Sequence, residues 1–184
     1  KGMSSNILYT YFGLTALCIL AAITYTVGKK AYGYSGLGDL FVFIFFGGVS
    51  VLGVYVLYAK ELELTVILPA ISIGLFSTAV LNLNNMRDIV NDKKVGKITL
   101  VVKMGGDVAK FYHALLIVGG ITALAMYIYL HQLTLAWIGL LPAIVLIVHL
   151  RKVMQTKYPK DFYPELKKVA LATFAIAVLT SIFL

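Results

Sequence analysis

Acidic residues are scarce: Asp and Glu number 8 among 184 residues, against 16 Lys and Arg. Charged residues of both signs make up only 13% of the chain and hydrophobic residues 60%, so long stretches carry no charge at all. Cysteine is nearly absent. Cys18 stands alone inside the first apolar stretch, which excludes a disulfide and a thiolate metal site within the chain. The apolar runs are continuous and do not alternate with polar residues, which excludes a transmembrane β-barrel. The first run has no small-residue cleavage site and is followed by five more, so it is not a secretory signal peptide. Linkers, low-complexity tracts and internal repeats are also missing, and residues 1–184 are expected to form one domain.

What is present is a set of membrane helices. Residues 7–27, 40–59, 64–86 and 111–130 each lack Asp, Glu, Lys and Arg over about the 20 residues that a bilayer core requires. Residues 133–150 form a shorter fifth run, with His149 near its end. Residues 164–184 form a sixth, whose opening turn carries Glu165 and Lys168 at the interface. An all-α, polytopic bundle of six transmembrane helices is the predicted fold. Assigning the connections alternately to two sides leaves only Lys1 and Lys60 of the 16 cations on one of them. That asymmetry is the positive-inside pattern, and it makes the lysine-rich side cytoplasmic in a multi-pass protein of the cell inner (plasma) membrane. The same pattern accounts for most of the net charge of +8 without a nucleic-acid partner.

Four minor signals have plain explanations. His113, His131 and His149 show no paired-ligand spacing, and structural or interfacial roles are expected for them. Asp161 and Glu165 are four apart, but Glu165 follows Pro164 at a helix start, where the helix dipole favours an acid. Gly96-Lys97-Ile98-Thr99 resembles the tail of a P-loop, but the positions that need Ser or Thr and Gly hold Ile98 and Asn91. Tyrosines such as Tyr9, Tyr11, Tyr58 and Tyr129 gather at span ends, as in interfacial belts.

Polar residues concentrate at the cytoplasmic end of the third run, from Asn84 to Lys97. If the helix runs on past Met86, Asn84, Asp88 and Asp92 follow at steps of four, with Asn85 three before Asp88, and such steps share a face. Two carboxylates one turn apart repel, so a bound divalent cation is the expected reason for them. Magnesium is usually held by one or two carboxylates together with substrate phosphates. Arg87, Lys93, Lys94 and Lys97 are placed to take phosphate charge. Paired interfacial charges would explain the acids and bases alone, but not why Asn84 and Asn85 carry the polar face back into the apolar helix.

The segment Asn84-Asn85-Met86-Arg87-Asp88-Ile89-Val90-Asn91-Asp92-Lys93-Lys94-Val95-Gly96-Lys97-Ile98-Thr99-Leu100 resembles the second aspartate motif of the UbiA superfamily of intramembrane prenyltransferases. It is most similar to the 1,4-dihydroxy-2-naphthoate prenyltransferases of menaquinone biosynthesis, and every fixed position of that motif is matched. The upstream segment from Thr24 to Asp39 resembles the family's Tyr-x-x-x-Lys stretch, here Tyr25 and Lys29, and its Tyr-Gly-Tyr-x-Gly-Leu-Gly-acid turn. Ala31 stands where the family more often has Pro.

The resemblance implies transfer of a polyprenyl group from polyprenyl diphosphate to 1,4-dihydroxy-2-naphthoate with decarboxylation, dependent on Mg2+. Asp88 and Asp92 with Asn84 or Asn85 would hold the metal. Arg87, Lys97, Lys29 and Asn84 would meet the diphosphate, and Tyr25 would steer it or face the carbocation. Other aromatic acceptors (4-hydroxybenzoate, homogentisate, a porphyrin) stay open within the superfamily. A transporter segment is the rival from another class, although its carboxylates belong nearer the bilayer midplane. The superfamily has about nine helices and a first aspartate motif that this sequence lacks. The expectation is therefore a C-terminal portion of a longer enzyme, whose missing N-terminal helices are its partners.

Overall fold

The computed structural model describes residues 5–28 and 31–183. Seven helices and no strand occur among them. Helix α1 is Ser5–Thr26, and α2 is Gly38–Ala59, π-helical over Phe43–Leu52. The polar block lies on α3, Ile67–Lys94. A short α4, Leu100–Met104, leads into α5, Gly106–Leu130. Helices α6, Ala143–Gln155, and α7, Tyr163–Ile182, complete the chain. Five stretches are long and apolar enough to cross a membrane: Ile7–Thr26, Gly38–Ala59, Leu64–Lys94, Gly106–Leu130 and Thr134–Gln155. The sixth expected span is α7, which carries Glu165, Lys167 and Lys168 in its first two turns and no charge from there to its end.

The structure corrects two boundaries. The fifth run starts as 3-10 helix, Thr134–Leu140, and becomes α-helical only from Ala143. Pro142 is the reason, since it has no N–H to donate and restricts the residue before it. The third run extends beyond residue 86 to Lys94 and the fourth begins at Gly106, ahead of residue 111, so only a turn, α4 and Gly105 lie between α3 and α5.

The core forms around α3. Phe76, Ala79, Leu83 and Met86 point inward from it and meet Leu116, Ile117 and Leu124 of α5, Leu146 and Val153 of α6, and Val169 and Ile176 of α7. In contrast α1 is barely covered. It is tied down by the Tyr32 hydroxyl, which donates to the Ala21 carbonyl at 2.8 Å, and by Tyr11, which donates to the Gly53 carbonyl. On the opposite side of the membrane two short connections are clasped together. His131 Nε2 lies 2.9 Å from Thr65 Oγ1 and 3.4 Å from Glu63 Oε1. The hydrogen bond from Thr65, opposed by desolvation and aided by His131 and Tyr55, holds Glu63 below the usual carboxylate range.

Helix α2 approaches α3 through Gly47. A Cβ there would sit 2.5 Å from the Ala70 carbonyl oxygen and 2.9 Å from Gly74 Cα. Both are backbone atoms of α3 and cannot swing aside, which is why a small residue is needed at this crossing. Gly47→Ala is expected to destabilise the protein by about 1–3 kcal/mol through overpacking. The readout is a lower midpoint of thermal unfolding in detergent; an unchanged midpoint would contradict the contact.

Candidate functional site

Helix α3 continues past Met86 without a break to Lys94, so the polar block is helical and stands at the lysine-rich end of the bundle. Its side chains divide between two sides. On one, Arg87 grips Asp88 in a fork: Nε donates to Oδ1 at 2.8 Å and Nη2 to Oδ2 at 2.7 Å. The same Nη2 donates to Asn84 Oδ1 at 2.7 Å. A planar guanidinium can make all three contacts at once, and an ammonium cannot. The guanidinium also lies over the ring of Tyr163, 5.9 Å from its centroid. These groups open into a cavity of about 650 Å³ between α3 and the α6–α7 connection, with Lys94, Pro159, Lys160 and Tyr163 on its walls.

Asp92 is one turn further on and more deeply set, with a side chain 6% exposed against 33% for Asp88. Its partner is Lys97, whose Nζ stands 3.3 Å from Oδ1 and from Oδ2. The end of α3 makes this pairing possible. Gly96 adopts φ +72°, its N–H bonds to the Lys93 carbonyl at 3.3 Å, and the Lys97 N–H bonds to the Asp92 carbonyl at 2.8 Å. This is a Schellman turn, which needs a residue free to take the left-handed conformation. It folds the chain back and sets Lys97 against Asp92. Lys97 also acts electrostatically on Asp88, and Asp92 on Arg87, so the two carboxylates and two cations form one cluster. Thr99 then caps α4, its Oγ1 accepting from the Val102 N–H at 3.2 Å.

Asn85 is turned elsewhere. It is buried beside Tyr25, Gly33, Gly36, Asp39 and Thr99, around a small internal space beneath the loop that joins α1 to α2. That loop is fastened to the α3–α4 turn, because the Ile98 N–H donates to the Tyr34 carbonyl at 3.1 Å and Lys103 Nζ to the Ser35 carbonyl at 2.7 Å. The two sequence motifs are thus neighbours in space, although 46 residues separate Asp39 from Asn85. Tyr25 faces an apolar groove of about 470 Å³ between α1 and α2, with Cys18, Phe41, Phe45 and Val49. Lys29 lies outside the described residues. Among the described residues, no three His, Cys, Asp or Glu side chains converge as a metal site would require. The oxygen donors near Asp88 include the Asn84 amide instead.

Two groupings in the structure carry no sequence motif. Lys160 comes from the α6–α7 connection and Tyr163 from the first residue of α7, and their nearness to Arg87 has no signature in spacing. His113 and His149, expected to be separate, are hydrogen-bonded at 2.8 Å between their Nε2 atoms. Glu165 is not a dipole-compensating surface acid but a buried one, bonded to His149 at 2.7 Å.

The model of the UbiA prenyltransferase family matches residues 4–182. A 1,4-dihydroxy-2-naphthoate octaprenyltransferase of Escherichia coli (strain K12) is 47% identical over 171 residues, 90% of this chain and 55% of that protein. Proteins of the same description from Haemophilus influenzae and Mycobacterium tuberculosis are 39% and 35% identical, over 95% and 89% of this chain and 57% and 56% of their own lengths. The chain therefore spans a little over half the length of these relatives. No solved structure matches.

Proposed function

This chain belongs to the UbiA prenyltransferase family, and from that premise we propose that it carries the diphosphate site for transfer of a polyprenyl group to 1,4-dihydroxy-2-naphthoate, a step of menaquinone synthesis. The names borne by its relatives support the reaction and its acceptor. The observation that carries the reading is the Asn84–Arg87–Asp88 cluster. It sits at the end of a charge-free span and faces a cavity that also holds Lys94 and Lys160. Such a cavity offers three cations against one carboxylate and so suits a polyanion at the membrane surface. We place that surface on the cytoplasmic face of the inner membrane, where the lysines gather.

In the proposed reaction the allylic C–O bond breaks and its electron pair leaves with the diphosphate. The allylic cation then forms a C–C bond to the ring carbon bearing the carboxylate, and loss of CO2 returns an electron pair to the ring. Arg87 and Lys94 meet the phosphate oxygens directly, while Lys97 keeps a further positive charge at the same helix end. Magnesium fits the donors present: Asn84, Asp88 and Asp92 offer only oxygen, and Asp92 Oδ2 is buried without a hydrogen bond. Those three residues would hold it, and when bound it neutralises the charge gathering on the departing diphosphate. Asn85, turned toward Tyr25, falls outside this set. Tyr25 lines a separate apolar groove between α1 and α2, whose size and lining suit a prenyl tail. Lys29, four residues on, is proposed as another phosphate ligand.

The test is an assay of the full-length protein in membranes with radiolabelled polyprenyl diphosphate and a panel of aromatic acids. Prenylation of 1,4-dihydroxy-2-naphthoate with release of CO2 is expected. Preference for 4-hydroxybenzoate or homogentisate would overturn the acceptor, and transfer to none of them would overturn the reaction.

A further inference from the structure

Away from the diphosphate cavity, four ionisable side chains from three helices form one unbroken chain. His113 Nε2 of α5 lies 2.8 Å from His149 Nε2 of α6. His149 Nδ1 lies 2.7 Å from Glu165 Oε2 of α7, and Glu165 Oε1 accepts from Lys168 Nζ at 2.6 Å. The side chains of His149 and Glu165 are 0% and 1% exposed, and only Lys168, at 50%, reaches the surface. The pattern assigns the protons. Glu165, ionised beside Lys168, accepts from His149 Nδ1–H, which leaves His149 Nε2 as an acceptor for His113 Nε2–H. His113 Nδ1 then carries only a lone pair, which agrees with its having no partner. A metal site does not fit, because two nitrogens bound to one ion at ~2.0 Å in tetrahedral geometry stand about 3.3 Å apart.

Buried ionisable groups in a membrane bundle are costly unless paired, and they generally serve a purpose. The purpose here lies in what Glu165 is attached to. Residues two apart on a helix face nearly opposite ways. With Glu165 pinned to α6, Tyr163 is turned away from that contact and lies beneath the Arg87 guanidinium. Phe162, just before it, is buried in the core, and Pro159 and Lys160 form the cavity wall. We propose that the His113–His149–Glu165–Lys168 chain is a positioning device, which fixes the first turn of α7 so that Tyr163 holds Arg87 in the geometry that receives the diphosphate. This rests on the prenyl-transfer reading above. None of the four residues touches substrate; they act through Tyr163.

The experiment is a double-mutant cycle in the full-length protein, reading KM for polyprenyl diphosphate and kcat separately. Glu165→Gln keeps the shape but removes the charge that orders the chain. It is expected to raise KM about tenfold, the scale of one charge-assisted hydrogen bond, with a smaller change in kcat. In a Tyr163→Ala background, where KM is already raised, Glu165→Gln should add less than about twofold, because coupled residues are non-additive. Equal fold-changes in the two backgrounds, or an unchanged KM in the first, would overturn the proposal. If Glu165→Gln fails to accumulate in membranes, Lys168→Met gives the same comparison from a half-exposed position. Absence of transfer by the unmutated protein would instead overturn the prenyl-transfer reading, so the two failures are distinguishable.

Discussion

Asp88→Ala and Asp92→Ala are each expected to lower kcat for prenyl transfer by about a hundredfold or more, the range found when one group stabilising transition-state charge is removed. The proteins should still insert and keep their unfolding midpoints within a few degrees. Asp88 can be lost without structural damage because it is one-third exposed and its partner Arg87 retains Asn84. Asp92 is the more delicate case. It is buried and its carboxylate is bonded to Lys97, so its removal leaves an ammonium without its counter-ion. Asp92→Asn is therefore the cleaner variant, since an amide oxygen can still accept from Lys97 while the charge is gone. Near-normal turnover by both Asp88→Ala and Asp92→Asn at saturating magnesium would remove the carboxylates from the mechanism.

Arg87 should rank next. Arg87→Ala removes three hydrogen bonds and the cation over Tyr163, and a loss of about a hundredfold in kcat/KM is expected. Arg87→Lys keeps the charge but not the fork, so it should lose only about tenfold. The ordering matters more than the sizes. If Lys proved as damaging as Ala, the planar geometry rather than the charge would be the essential property. If neither substitution affected turnover, the cavity beside Tyr163 would not be where the diphosphate binds.

Much of this site was legible in the sequence because it is local. Steps of four along a helix put Asn84 next to Asp88, and a helix running past Met86 was enough to infer their closeness. Gly96 is a residue type that commonly ends helices, although only the backbone geometry shows that the turn returns Lys97 to Asp92. The charge-free runs predicted the spans well because hydropathy and length are properties of short segments. Irregular geometry was harder to see. The π-helical middle of α2 and the 3-10 start before Pro142 arise from how helices meet, and at Gly47 the meeting partner is a carbonyl of α3.

Partnerships across helices were not legible. Tyr163 reaches Arg87 from a segment 76 residues away, and nothing in its neighbours marks it out. No ligand spacing joins His113 and His149 in the sequence, yet the packing of α5 on α6 brings them into contact. Glu165 shows how a correct rule can mislead. An acid in the first turn of a helix is favoured by the dipole, and this one satisfies that rule while being fully buried in a hydrogen-bonded chain. Burial is decided by which face α7 turns to α6, and a helix with charges only at its start carries little pattern to reveal that face.

Binding of a non-ionising polyprenyl diphosphate analogue to the full-length protein, titrated with and without magnesium, separates the site from every later chemical step. The prediction is tight binding that weakens at least about tenfold when magnesium is chelated, a modest share of what a bridging cation contributes to a polyanion. In Asp88→Ala and Asp92→Asn the magnesium effect should vanish while weaker, metal-independent binding through Arg87 and Lys94 remains. Equal affinity with and without magnesium, or an undiminished magnesium effect in both variants, would place the diphosphate somewhere other than the end of α3.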